Sequence, residues 1–256
     1  MSTLRARCPH CSTLTAVALD DGYECHVCGS TFRAGLVRVA GAWGTGGERM
    51  AEAATTLELP WPEAAVVEEA TLVAQTAAVE AALPVRPLVL GGCCCAHLGA
   101  IRGLSRRHGR LAVVWLDAHG DLNTPATSPS GNAWGMPLRM ALDAGEIEAA
   151  DVALVGAREL DPEEREYMAA MGIDDDVNRA VAGVAAVYVA LDVDVFDPAE
   201  IRCFMPSPAG PTVAQVTELL GSLHAGAAPI AGLGFSGLVP ECDPATLIGL
   251  AEALGV

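Results

Sequence analysis

The sequence predicts an α/β protein with a mostly parallel sheet covered on both faces by helices and preceded by a small cysteine-rich module. Three observations lead there. Short continuous apolar runs recur along the chain, as strands buried on both faces require. Stretches of helical period separate them, the pattern of parallel strands joined by crossover helices. The first 33 residues follow neither pattern and carry two CxxC pairs instead.

Residues 1–33 contain CPHC and CHVC with thirteen residues between them, and Gly29 and Ser30 close the second pair. At this spacing Cys8, Cys11, Cys25 and Cys28 form a tetrahedral cage for one structural zinc, a zinc ribbon in which the metal replaces a core too small to fold alone. His10 and His26 lie inside the pairs as alternative ligands, but four cysteines already complete such a site. LVRVAGAWGTGG (36–47) reads as a buried strand and a glycine-rich turn. Helical stretches at 48–58 and 63–83 follow. PLVLGG (87–92), LAVVWLD (111–117), VALVGA (152–157), AVYVALD (186–192) and PIAGLGF (229–235) read as further buried strands. Helices near 98–109, 134–145, 161–172, 212–224 and 243–254 separate them. Functional loops are expected at the carboxyl ends of such strands.

With 256 residues, 52% of them hydrophobic, the chain has room for one sizeable α/β domain plus an appendage. No charge-free apolar stretch reaches the ~18 residues of a membrane span. The opening MSTLRARCPHC has no apolar core after its arginines, as a secretory signal would, so the protein is expected in the cytoplasm. All 15 basic residues are arginine, which excludes Schiff-base and phosphate-loop lysine chemistry. A net charge of −17 disfavours nucleic acid and anionic membranes as partners. It would attract a cationic substrate, although solubility is its plainer consequence. Nine cysteines without a secretory signal point to metal or thiol chemistry.

The chemistry concentrates at two strand ends. WLDAHGDLNTP places Asp117, His119 and Asp121 at alternate positions, where extended backbone points side chains the same way. ALDVDVFDP repeats the device with Asp192 and Asp194, and Asp197-Pro198 turns the chain out of the sheet. Five hard or borderline ligands suit a pair of divalent ions able to activate water at neutral pH.

DAHGDLNTPATSPSGN and LDVDVFDP resemble the two metal-binding signatures of the ureohydrolase (arginase and agmatinase) superfamily. Gly91, Gly92 and Cys93–Cys95 stand where that family has a Gly-Gly-Asp-His run. VGARELDPEE (155–164) is similar to the stretch whose acid helps hold the substrate's amino end. The resemblance implies a three-layer arginase-like fold over 34–256, a binuclear manganese-type centre and hydroxide attack on a guanidine or related carbon. By it the metal ligands are Cys94, Asp117, His119, Asp121, Asp192 and Asp194. His119 and Asp121 are the catalytic pair, and Asn123, Ser130, Asn132, Trp134 and Asp161 contact a small-molecule substrate. It also implies a homo-oligomer.

The departures from the family are specific. Cys94 replaces a histidine, and its softer sulfur shifts preference from manganese towards zinc or iron, unless it is simply a small buried thiol. His97 is a second candidate on the same face, with a capping or core role as the plainer alternative. Trp134 stands where the family has a proton-shuttling histidine, and Gly237 where it has a glutamate for the guanidinium. Glu241 would have to reach back to replace that glutamate, and Gly234 also stands for an acid. Residues 172–186 are too few for a further strand and crossover helix, so the sheet is expected to be one strand short. The sequence therefore points to a C–N hydrolase acting on a guanidine, hydroxyguanidine or amidine-like compound other than arginine. The alternative is a non-catalytic metal-binding protein that docks a partner through its ribbon.

Overall fold

The computed structural model describes residues 5–256, so the first four residues of the 1–33 module lie outside the described residues. Strands β1 (Arg5–Ala6), β2 (Ala16–Ala18), β3 (Tyr23–Cys25) and β4 (Thr31–Phe32) form an antiparallel sheet in chain order. Its apolar interior is little more than Ala6, Ala16, Tyr23 and two cysteines. So small a core gives the cysteine cluster the main share in holding it.

The rest of the chain alternates strand and helix. In order these are β5 (Gly35–Val39), α1 (Glu48–Thr56), β6 (Glu63–Val67), α2 (Leu72–Ala82), β7 (Pro87–Gly91), α3 (His97–His108) and β8 (Leu111–Leu116). They continue with α4 (Pro137–Asp143), β9 (Val152–Val155), α5 (Pro162–Met171), α6 (Val177–Ala180), β10 (Ala186–Asp192), α7 (Val213–Ala225), β11 (Ile230–Ser236) and α8 (Pro244–Ala253). The seven strands make one parallel sheet in the order β6-β5-β7-β11-β10-β8-β9. The period of two assigns each strand residue to a layer. Ala112, Val114 and Leu116 of β8 and Val187, Val189 and Leu191 of β10 join a core with α1, α7 and α8. Val113 and Trp115, with Tyr188 and Ala190, face the other core, built on α2, α3 and α4.

One element departs from the expected pattern. Residues 63–67 are not the start of a helix running to 83 but the edge strand β6, and the helix begins at Leu72. EAAVV reads as helix from local propensity, but Pro62 precedes it and β5 offers a parallel partner, so pairing overrides propensity. The outer side of β6 is met by the N-terminal sheet: Arg7 and Glu63 exchange both backbone hydrogen bonds, at 2.8 and 2.9 Å. The shortened segment after α5 agrees with the seven-stranded sheet. It holds only the four-residue α6 and one parallel bridge, in which the Leu154 amide donates to the Asp174 carbonyl at the β9 edge.

Arg38, in the middle of β5, is buried yet charged. Its Nε donates to Glu63 Oε2 at 2.8 Å, while Nη1 and Nη2 donate to the Ala54 and Leu57 carbonyls at 2.9 and 2.8 Å. One guanidinium thus satisfies the open carbonyls at the end of α1 and joins it to β5 and β6. Arg38→Met should lower unfolding free energy by about 2–4 kcal/mol in urea titrations, because three acceptors lose their donor together. An unmoved midpoint would show that solvent replaces these bonds at no cost.

Candidate metal centres

The four central strands β7, β11, β10 and β8 run parallel, so their carboxyl ends open on one side of the sheet. After β8, Asp117 Oδ1 accepts from the His119 amide at 2.7 Å and begins a turn. Asp121 lies in the left-handed region at φ 53°. The convergence of these side chains therefore arises from a turn rather than from the extended alternation expected of residues 117–121. Glu164 holds that turn against α5, its two oxygens accepting from the Leu122 and Asp161 amides, both at 2.9 Å. After β10, Asp192 Oδ1 accepts from the Asp194 amide at 3.0 Å, and Asp194 Oδ1 accepts from the Ala118 amide at 3.0 Å. The two loops are thus joined.

Two ligand groups result. Cys94, Asp117 and Asp192 form one, and Asp117, His119 and Asp194 form the other, with Asp117 common to both. Cys94 Sγ lies 2.9 Å from Asp192 Oδ2 and 3.9 Å from Asp117 Oδ2. His119 Nδ1 lies 3.0 Å from Asp194 Oδ2 and 3.3 Å from Asp117 Oδ1. Asp121 falls in neither group, but its Oδ2 is buried without a hydrogen-bond partner among the described residues.

The donor set suits cations. Four buried carboxylates share this space, and burial with mutual repulsion drives all of them up. Burial and the Asp194 charge push Asp192 to about 7, and burial and the Asp117 charge push Asp194 to about 6. Burial, followed by the Asp117 charge, raises Asp121 well above the carboxylate range. Burial opposes a charge on His119, yet Asp117 and Asp194 on either side bring it to about 12. Burial and the same carboxylates raise the Cys94 thiol. Such a cluster must hold either protons or metal ions, and the orphaned Asp121 oxygen marks a lone pair that a cation would satisfy.

The ligands floor a cleft of about 400 Å³ that Asn123, Ser130, Trp134 and Asp161 also line. Asn123 Nδ2 donates to Asp161 Oδ2 at 2.8 Å, so these two are brought together. Asn132 is not among the lining residues: its Oδ1 accepts from the Thr45 amide at 2.9 Å and anchors the loop instead. Trp134 packs edge-on against Phe204, with ring centroids 5.8 Å apart, and Met50 and Met205 extend this apolar wall. Gly237 has φ 69°, and a Cβ there would lie 1.9 Å from Asp192 Oδ1. Glu241 does not reach back, because it pairs with Arg49 on the surface. His97 takes the core role, bonded to Tyr188 and Ser236.

Three positioning residues escaped the sequence reading. Trp115 Nε1 donates to Asp117 Oδ2 at 3.2 Å, and Ser236 Oγ donates to Asp192 Oδ2 at 3.0 Å. Arg158 donates to the Gly156, Asp194, Ser207 and Pro208 carbonyls, each at 2.9 Å, and so fixes the loop after β10. Glu164 escaped it as well, although the Asp-Pro-Glu-Glu run at 161–164 has the spacing of a capping box and the structure forms one.

In the N-terminal sheet the sulfurs of Cys8, Cys11, Cys25 and Cys28 all lie within 4.8 Å of one another. The Thr15 hydroxyl, 3.3 Å from Cys25 Sγ, brings that thiol down to about 5, a thiolate ready to bind a metal. His10 is turned to Ser30 Oγ at 2.7 Å.

A model of the arginase family matches residues 51–254. An arginase of Staphylococcus aureus is 34% identical over 142 residues, covering 44% of this chain and 47% of that protein. The chain thus spans about half the length of the curated relatives it matches. An arginase structure from Bacillus subtilis superposes with TM-score 0.73 at 23% identity, over 86% of this chain and 97% of that one. Proclavaminate amidino hydrolase from Streptomyces clavuligerus gives 0.68 at 21%, over 87% and 89%. At these identities the structures speak for the fold alone, the three-layer arginase-like arrangement. The family match extends across six of the seven strands of the parallel sheet and both metal-ligand loops, and the chain belongs to the arginase family.

Proposed function

We propose that this chain is a binuclear-metal hydrolase that cleaves a C–N bond in a guanidine, hydroxyguanidine or amidine-like small molecule other than arginine. The observation that carries the reading is the pair of ligand groups sharing Asp117, with the unpartnered Asp121 oxygen beside them. Divalent ions held there, manganese by family habit or zinc or iron by the softness of Cys94, would activate water for attack on the substrate carbon. Asp121 would meet a metal ion through Oδ2 and take a proton from that water on its other carboxylate oxygen. His119, a quarter exposed at the cleft floor, would orient the reacting group. Asp161 and Asn123 would hold the distal polar end of the substrate, with Ser130 at the rim.

Gly237 supports the choice of substrate. Nothing larger fits there while Asp192 keeps its place, so no carboxylate can face a guanidinium from that position. A buried cation without its counter-ion costs several kcal/mol, which favours uncharged or weakly basic substrates. Trp134 adds an apolar wall and offers no proton, which is also what favours the second reading, a metal-holding protein without turnover that docks a partner through its N-terminal sheet. We further infer one zinc on Cys8, Cys11, Cys25 and Cys28, bound independently of the cleft.

Elemental analysis should separate the sites. Asp117→Ala should empty both cleft sites, Cys94→Ala chiefly one and Asp194→Ala chiefly the other, while one zinc per chain persists in every variant until residues 1–33 are removed. Undiminished metal in all three variants would sink the metal-centre reading.

Gly237→Glu, which supplies the missing acid, should displace Asp192 and reduce bound metal rather than confer arginine hydrolysis. A metal-replete variant with new arginine turnover would refute the steric argument.

Assays of urea or ammonia release with manganese, zinc or iron should show arginine turned over about 10²–10⁴-fold more slowly than the best weakly basic guanidine, hydroxyguanidine or amidine-like compound, the weight of a buried guanidinium left without its carboxylate. Efficient arginine turnover would remove the specificity argument. Silence across arginine, agmatine, hydroxyarginine and small guanidines would favour the non-catalytic reading.

A further inference from the structure

Beneath the ligands lies a buried polar chain that neither the resemblance nor the cleft accounts for. Tyr188, His97 and Ser236 are fully buried. Tyr188 Oη is 2.9 Å from His97 Nδ1, His97 Nε2 is 3.2 Å from Ser236 Oγ, and Ser236 Oγ donates to Asp192 Oδ2 at 3.0 Å. Ser236 Oγ also lies 3.4 Å from Cys94 Sγ. The chain exists because position 234 is glycine: a Cβ there would stand 2.3 Å from the Tyr188 hydroxyl and 2.7 Å from the His97 ring.

The proton order follows from satisfying every donor. Burial keeps His97 neutral, so one ring nitrogen accepts and the other donates. Among the described residues His97 Nδ1 is the hydrogen-bond partner of the Tyr188 hydroxyl, which therefore donates to it. Nε2 then carries the ring proton and donates to Ser236 Oγ. The Ser236 proton is left to point at Asp192 Oδ2. In the opposite order the Tyr188 proton has no acceptor and Asp192 loses its donor, a cost of about 1–3 kcal/mol for each group left unmade. His97 also stands edge-on to Trp115, 5.3 Å between centroids, and Trp115 donates to Asp117. The same layer thus supports both carboxylates of the Cys94 group.

We propose that Ser236, its proton aimed by Tyr188 through His97, is a positioning residue that orients Asp192 and Cys94 towards one metal ion. The proposal rests on the binuclear reading above. Outer hydrogen bonds of this kind fix ligand orientation, and their loss typically costs ~10- to 100-fold in metal affinity.

The test is Mn²⁺ titration of the full chain after dialysis against chelator, followed by electron paramagnetic resonance of free and bound Mn²⁺. The four-thiolate cluster binds this hard ion poorly, so the cleft is read selectively. Wild type should bind two ions. Ser236→Ala should keep one at wild-type affinity and weaken the other ~10- to 100-fold. Tyr188→Phe removes one oxygen, keeps the packing and releases the His97 tautomer; it should weaken the same ion by roughly 3- to 10-fold, the weight of one hydrogen bond. Wild-type affinity for both ions in folded Tyr188→Phe would overturn the proposal, whatever Ser236→Ala does. Fewer than two ions on the wild type would overturn the binuclear reading itself and this proposal with it.

Discussion

Four carboxylates and a thiol are confined at the carboxyl ends of adjacent parallel strands, with an apolar core behind them and little of their own surface exposed to solvent. Repulsion in such a place is too strong for the groups to remain charged on their own. Everything nearby is arranged for that constraint. Backbone amides of His119, Asp194 and Ala118, the Trp115 indole and the Ser236 hydroxyl each donate to a ligand carboxylate and set its direction. The oxygen left over, Asp121 Oδ2, is the one a cation would complete. Among the described residues Arg158 binds carbonyls of the surrounding loops and no acid, which leaves His119 as the cationic partner of Asp117 and Asp194.

The departures from the family pattern form a connected set rather than scattered losses. A histidine that binds a metal has a second ring nitrogen that needs an acceptor, whereas a cysteine has none. Cys94 makes no such demand on its surroundings, and glycine at 234 leaves room for the Tyr188 hydroxyl and the His97 ring. Gly237 follows from Asp192 in the same way, because the left-handed turn brings position 237 onto the carboxylate. Trp134 and Phe204 then close an apolar side to a cleft whose other side is acidic. The polar demand of this cluster is met from beneath its carboxylates, by Trp115 and Ser236.

The N-terminal sheet has a structural consequence beyond its cysteines. β6 is an edge strand, and its outer side would present open amides and carbonyls to other chains. The Arg7–Glu63 bridge blunts that edge, and Glu63 also receives Arg38 from within. The small sheet and the large one are therefore joined at the point where a parallel sheet is most exposed.

The sequence by itself determined the α/β alternation, six of the seven strands and the identity of nearly every candidate ligand, because buried parallel strands are continuous apolar runs and acids cannot interrupt them without cause. DAHGD, LDVDVFDP and the two CxxC pairs declared themselves by spacing. Tertiary structure alone decided the rest. EAAVV became a strand because β5 lay beside it, although its local preference is helical. Asp121 converged through a left-handed turn that no alternation rule describes, and Asn132 turned to Thr45 and away from the cleft. Ser236, Trp115 and Tyr188 stand on separate strands, far apart along the chain, and look like ordinary core residues. Only the register of β8, β10 and β11 brings their polar atoms beneath the same carboxylates, since a hydrogen bond depends on position in space and leaves no period in the sequence.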